Sequence, residues 1–367
     1  MNVKQDKTRI LLIAVCKPGT IGGQATAARL LIRYLGSEFD WSVISLPAPG
    51  QPGLLRFFIS WKILFESLWI RVTKRVRIVH LFTSCTRLAL FEKLIIGFLL
   101  RITGARTIIN FRGAFDDYYI NSSAIEKKLA RFLLKRQSVV LCQHNGTKDF
   151  LLLHGIVDEN KINVIPNGVE EVDQPVKENS IGKQKKILCL TWIISHKGLD
   201  LLIDAAAQMK KLLIENNTVI EICGPEEEVG LKSKLQRRIE MAEATDVIHF
   251  LLPVSGAAKQ QLMQGAGIFV LPTRKEGFPN ALLEAMMMGL PVVTTNKIPM
   301  NTIVQNDVTG LLFEEDNVVE LASQLTKLIQ NDTLRNEIGD AGRNFVLGNY
   351  TPGKVMSAFS ELYGKLR

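Results

Sequence analysis

Short β-branched runs alternate with longer amphipathic stretches along this chain, and the alternation starts twice. RILLIAV (9–15), WSVISL (41–46), RIVHLF (77–82), RTIINF (106–111) and SVVLC (138–142) read as strands, most of them separated by helical stretches. A polar segment, EEVDQPVKENSIGKQKK (170–186), interrupts them. ILCLTW (187–192), TVIEICG (218–224), VIHFLLP (247–253), GIFVLP (267–272) and PVVTT (291–295) then resume the pattern. Strand–helix alternation of this kind builds parallel sheets with helices on both faces. The reading is α/β, with two parallel-sheet domains over 1–169 and 187–350 joined by a linker at 170–186. A chain of 367 residues exceeds one ordinary core, which agrees.

Composition narrows the class. Hydrophobic residues make up 47% and charged residues 22%, the balance of a globular protein. The five cysteines are scattered without CxxC spacing and read as reduced, buried thiols of a cytosolic protein. The first residues, MNVKQDKTRILLIAV, lack a signal-peptide layout, and no apolar run approaches the roughly 18 residues of a membrane span. Charge is uneven: residues 1–180 hold 25 Lys and Arg against 15 Asp and Glu, and the remainder holds 20 against 21. A basic first half suits an anionic lipid or nucleic-acid surface. The chain has no aromatic-rich basic motif, so a nucleic-acid partner is not expected.

One stretch raises a chemical question. EGFPNALLEAMMMGLPVVTT (276–295) sets two carboxylates, Glu276 and Glu284, in an otherwise apolar run. GIFVLP reads as a buried strand and TRKEGF as the loop at its carboxyl end. Pro279 suits a first helical turn, and Gly289 with Pro291 ends the helix near Met288. Glu276 then stands just before a helix N-terminus, and Glu284 lies on a helix apolar on every side. Taken singly, Glu276 reads as an exposed loop acid and Glu284 as a buried helix acid paired with a lysine.

Together these residues resemble the Glu-x7-Glu segment of retaining, nucleotide-sugar-dependent glycosyltransferases of family 4. Other segments are similar in the same order: KPGTIGGQATAARLL, INVIPNGV, SHKGLDLLIDA, VSGAAKQQLMQGAGIFVLPT and the final YTPGKVMSAFSELYGKL. The resemblance implies the GT-B fold, two Rossmann-like domains facing a central cleft. The first binds the acceptor and the second the nucleotide sugar, and a C-terminal helix (351–367) crosses back to the first.

The resemblance also assigns roles. Glu276 would contact hydroxyls of the donor sugar, and Glu284 the nucleotide ribose; an ionised carboxylate offers two acceptor oxygens to a vicinal diol. Gly277 and the amides of Phe278, Asn280 and Ala281 would face a diphosphate at the helix start. Lys197 in SHKG would bind that diphosphate. The family's Gly-Arg pair ahead of this lysine is replaced by Thr191 and Trp192, and Arg274 is the candidate for the missing cation. Gly22 and Gly23 read equally as a simple turn or as a loop approaching the donor phosphate. Arg112, where many members carry histidine, reads as a salt-bridged surface arginine or as a contact to the sugar or an anionic acceptor. His144 and Asn167 read as structural.

The implied activity is transfer of a sugar from a UDP- or GDP-linked donor to a hydroxyl of a glycan or lipid-linked acceptor. Retention at the anomeric carbon, no metal or other cofactor, and a setting in cell-surface polysaccharide or lipopolysaccharide assembly are expected with it. A nucleotide-sugar-binding pseudoenzyme or assembly partner is the alternative that Trp192 keeps open. Segments 54–77 and 92–101 combine apolar density with Lys and Arg. Each reads as a core helix or as docking on the anionic inner face of the plasma membrane by a cytoplasmic protein.

Overall fold

The computed structural model describes residues 7–17, 20, 22–47, 53–172 and 185–367. Most of the expected linker, residues 173–184, lies outside the described residues. The chain divides into two compact units, Met1–Gly168 with Pro352–Arg367, and Val169–Thr351.

The first unit runs β1 (Arg9–Ala14), α1 (Gly23–Leu35), β2 (Asp40–Ser45), α2 (Gly53–Thr73), β3 (Ile78–Thr83), α3 (Arg87–Ile102), β4 (Arg106–Phe111), α4 (Phe115–Asn121), α5 (Ala124–Lys135), β5 (Val139–Cys142), α6 (Asn145–Leu153) and β6 (Ile162–Val164). Its six strands pair in the order β2-β1-β3-β4-β5-β6, every pairing parallel. β3 is buried along its whole length, as a strand covered on both faces must be.

The second unit runs β7 (Lys185–Leu190), α7 (Leu199–Gln208), α8 (Lys210–Glu215), β8 (Thr218–Cys223), α9 (Leu231–Met241), β9 (Ile248–Leu251), α10 (Gly256–Gln264), β10 (Ile268–Leu271), α11 (Asn280–Met287), β11 (Val292–Thr295), α12 (Met300–Ile303), β12 (Leu311–Phe313), α13 (Val318–Gln330) and α14 (Asp332–Asn349). Its sheet is also parallel, in the order β12-β11-β10-β7-β8-β9. The expected α/β class with two parallel sheets is what the chain adopts.

A last helix, α15 (Pro352–Lys365), belongs to the first unit. Val355, Met356, Phe359, Leu362 and Tyr363 join one core cluster with Leu12, Leu31 and Phe82. Its Tyr363 hydroxyl meets His80 Nδ1 at 2.7 Å, and Asn110 Nδ2 meets His80 Nε2 at 3.0 Å. Both ring nitrogens are thus partnered inside an apolar core. Burial holds the His80 pKa well below 6.5, and the Arg112 charge lowers it further.

The two apolar basic segments part ways. Helix α3 turns Leu90, Leu94, Ile96 and Leu100 into the core, so 92–101 is a core helix rather than a docking face. Helix α2 leaves Phe57, Phe58, Trp61, Phe65 and Trp69 exposed, each by 46% or more. Phe57, Trp61, Phe65 and Trp69 recur every fourth residue and form one stripe, with the Trp61 and Phe65 rings stacked at 5.7 Å. Among the described residues no helix is long and apolar enough to cross a membrane.

Candidate functional site

The order of the second sheet reverses at β7. From it the chain adds β8 and β9 on one side and β10, β11 and β12 on the other. Because β7 and β10 are neighbours, the loops at their carboxyl ends emerge side by side. Ligand crevices of open α/β sheets form at this point. Lys197 lies in the first loop and Glu276 in the second.

Backbone geometry brings the two together. Ser195–Lys197 forms a single 3₁₀ turn that ends at Gly198 with φ +66°. A Cβ at Gly198 would stand 1.9 Å from the Pro272 carbonyl oxygen, so the loop passes β10's end as closely as it does only with glycine there. Lys197 is thereby turned inward and buried. Its Nζ donates to Glu276 Oε1 at 2.6 Å and to the Lys275 carbonyl oxygen at 3.2 Å. An ion pair with both side chains this shielded, 10% and 15% exposed, interacts far more strongly than one in water.

Helix α11 answers the question of the second carboxylate. Leu282, Leu283, Ala285, Met286 and Met287 are all buried. Glu284 sits among them half-buried, and Lys259 Nζ of α10 donates to its Oε2. The lysine partner anticipated for a buried helix acid is therefore present. Lys259 itself escaped the sequence reading, because it is 25 positions away on another helix and nothing local marks the pairing.

Not every expected helix-start amide is open. Pro279, at φ −85° and ψ 78°, makes an inverse γ-turn in which the Asn280 amide donates to the Phe278 carbonyl at 3.0 Å. Asn280 N–H is thus engaged, which corrects the expectation that it is free for a phosphate. The Phe278 side chain is core, its ring 6.2 Å from that of Tyr350. Gly277 and Ala281 are part-exposed on the same loop and first turn.

Arg274 requires a second correction. Its Nη1 and Nη2 donate to the two Asp200 oxygens, each at 2.9 Å, and its Nε to Asp316 at 2.6 Å. Nη1 also reaches the Ser195 carbonyl oxygen at 3.1 Å. The Asp200 hydrogen bonds raise the guanidinium pKa above its already high value. Burial raises the Asp200 carboxyl, but its hydrogen bonds to Arg274 override that and hold it below the usual carboxylate range. A guanidinium already neutralised by two acids is not the spare cation expected at Thr191–Trp192. It braces the loop that carries Lys197.

The remaining candidates belong to the first unit. Gly22 precedes α1 at φ +130°, and Gly23 is its first residue. Arg112 follows β4; Nη1 donates to Asn167 Oδ1, and the guanidinium carbon lies 4.1 Å over the Phe82 ring. Burial lowers its pKa to about 9, so it stays cationic at neutral pH. Among the described residues no carboxylate pairs with it, which removes the salt-bridged surface reading. His144 caps α6 by accepting from the Thr147 amide at 3.3 Å, a structural role.

Comparisons with known proteins agree with this arrangement. Residues 171–345, most of the second unit, match the family model described as Glycosyl transferases group 1. A UDP-Gal:alpha-D-GlcNAc-diphosphoundecaprenol alpha-1,3-galactosyltransferase of Escherichia coli is 27% identical over 253 residues, 65% of this chain and 63% of that protein. The match therefore spans less than two thirds of that relative's length. Sucrose-phosphate synthase of Thermosynechococcus elongatus superposes with a TM-score of 0.82 at 16% identity, over 98% of this chain and 99% of that one. Anabaena HepE, solved with UDP and glucose, gives 0.77 at 17% identity over 98% and 100%. The fold is GT-B, and the matches support a glycosyltransferase.

Proposed function

We propose that the protein transfers a sugar from a nucleotide diphospho-sugar, UDP- or GDP-linked, to a hydroxyl of a glycan or lipid-linked acceptor, with retention, in cell-surface polysaccharide or lipopolysaccharide assembly. The observation that carries this reading is the Lys197–Glu276 pair at the β7/β10 reversal, with Glu284 one and a half turns into α11. The Escherichia coli relative, named for a UDP-galactose donor and a diphosphoundecaprenol-linked acceptor, supports the substrate classes.

In this reading Glu276 accepts hydrogen bonds from sugar hydroxyls, and Lys197 offsets charge on the departing diphosphate. Glu284 accepts from the ribose, with bonds to a charged group contributing about 1.5–3 kcal/mol each. The bond from the anomeric carbon to the diphosphate oxygen breaks while the acceptor oxygen bonds to the same face. The acceptor proton passes to the leaving phosphate. On the first unit, taken by itself, the cationic Arg112 would bind an anionic group, and the backbone at Gly22 and Gly23 a phosphate. No metal is assigned a role; turnover should persist in excess chelator, and loss restored by magnesium or manganese would overturn that part.

The test is binding. Thermal shift with UDP, GDP and their sugars should stabilise the protein, by about 2.7 kcal/mol at 100 times the dissociation constant. Glu284→Gln should weaken that binding without loss of fold. No shift with any nucleotide would remove the reading.

The membrane part rests on the aromatic stripe of α2. Arg56, Lys62 and Arg71 on α2, then Lys74, Arg75 and Arg77, flank the exposed rings, with Glu66 the one acid of the segment. Rings entering the interface beside cations drawn to anionic lipid fit peripheral docking at a cytoplasmic membrane face.

A further inference from the structure

Lys259 is assigned no role by any comparison, and its surroundings are specific. On α10 the neighbours Ala257, Ala258, Gln260 and Gln261 are exposed, while Lys259 is half-covered and reaches Glu284 on α11. The pair keeps 27% and 23% side-chain exposure, so it is shielded yet still reached by solvent. Lys259 takes one carboxylate oxygen, Oε2, and leaves Oε1 to other donors.

A carboxylate on a helix turns about its last torsion with little resistance. An ammonium held on a different helix removes that freedom. It fixes the plane of the Glu284 carboxylate before a ligand arrives, so less ordering remains to be done on binding. It also gives the carboxylate a partner among Leu283, Ala285 and the rest of α11, where an unpartnered one is costly.

We infer that Lys259 is a positioning residue for the nucleotide ribose, acting through Glu284. This rests on the reading of Glu284 as the ribose contact. The plainer alternative is that Lys259 only braces α10 against α11. The two differ in one respect: a brace is indifferent to the ribose hydroxyls, whereas a positioning residue matters only when they are present.

Calorimetry with UDP, GDP and their 2′,3′-dideoxy analogues separates them. Wild type should bind the cognate nucleotide about tenfold more tightly than its dideoxy analogue, the equivalent of one charge-assisted hydrogen bond. In Lys259→Met that preference should fall to about twofold or less, through weaker binding of the hydroxylated nucleotide alone, and Lys259→Arg should restore most of it. Lys259→Gln replaces the methionine variant if that one melts early. A preference that stays tenfold in the lysine variants, or an equal loss with both nucleotides, makes Lys259 a brace and overturns the inference while the proposed function stands. Wild type binding none of the nucleotides, or binding without a hydroxyl preference, overturns the ribose reading and this inference together.

Discussion

Lys197 and Glu276 meet at 2.6 Å across the two loops at the reversal of the second sheet, although 79 positions separate them in the chain. Arg274 stands two residues before Glu276 and is held by Asp200 and Asp316 instead. The two cations should therefore fail differently when removed. Lys197→Ala should lower turnover by about 10²-fold, the scale of losing one charge-stabilising donor. Arg274→Ala should keep turnover within tenfold and instead lower the melting temperature of the second unit by about 2–4 °C, the effect of roughly 1 kcal/mol. Steady-state kinetics and calorimetric melting of both variants decide it. Wild-type turnover in Lys197→Ala would take that residue out of the site.

Gly198→Ala should damage both stability and donor binding. Its φ of +66° is unfavourable for alanine, and the new Cβ meets the Pro272 carbonyl oxygen at 1.9 Å. Backbone strain of this kind costs about 1–3 kcal/mol, and relief requires moving the loop that holds Lys197. Melting should fall and the dissociation constant for the cognate nucleotide should rise together. An alanine variant with unchanged melting would mean the loop shifts freely.

His80 should make the first unit acid-sensitive. The folded ring has a pKa well below 6.5, whereas the unfolded ring takes a proton near that value. Below it the unfolded state binds more protons, so this stability is present above about pH 6.5 and is lost as pH falls from there towards the folded value. The melting temperature should drop between pH 7 and 5, before most carboxylates titrate. His80→Gln should flatten that slope, whatever its absolute melting point. Parallel curves for wild type and variant would assign the acid effect elsewhere.

Liposome flotation addresses α2. Wild type should float with anionic vesicles, each nearby cation contributing about 1 kcal/mol, and less so as salt rises. Replacing Trp61, Phe65 and Trp69 with serine should abolish flotation, and Glu284→Gln should leave it unchanged. Wild type remaining at the bottom at low salt would leave the stripe without a membrane role.

Strand–helix alternation was legible because the buried strands are apolar in a run and most of the helices are amphipathic over a longer span. The Glu-x7-Glu loop was legible because its proline and glycines punctuate a strand, a loop and a helix within 20 residues. What stayed hidden depends on partners distant in the chain. The bond from Lys259 to Glu284 and the double clamp of Asp200 and Asp316 on Arg274 have no local mark. Helices α2 and α3 looked alike because apolar density does not say which side faces a sheet. Leu94 and Leu100 go inward, whereas Trp61 and Trp69 do not.

Helix α15 sets the order in which the protein becomes whole. Residues 7–168 leave the ribosome early, but the cluster around Leu12, Leu31 and Phe82 is closed by Phe359 and Tyr363. The first unit, begun first in synthesis, is therefore completed last, after the entire second unit has emerged. Until then that face of its sheet is covered by α1 without α15, and His80 lacks its tyrosine partner. Loss of residues 352–365 should thus cripple the distant beginning of the chain while sparing the nearer second unit.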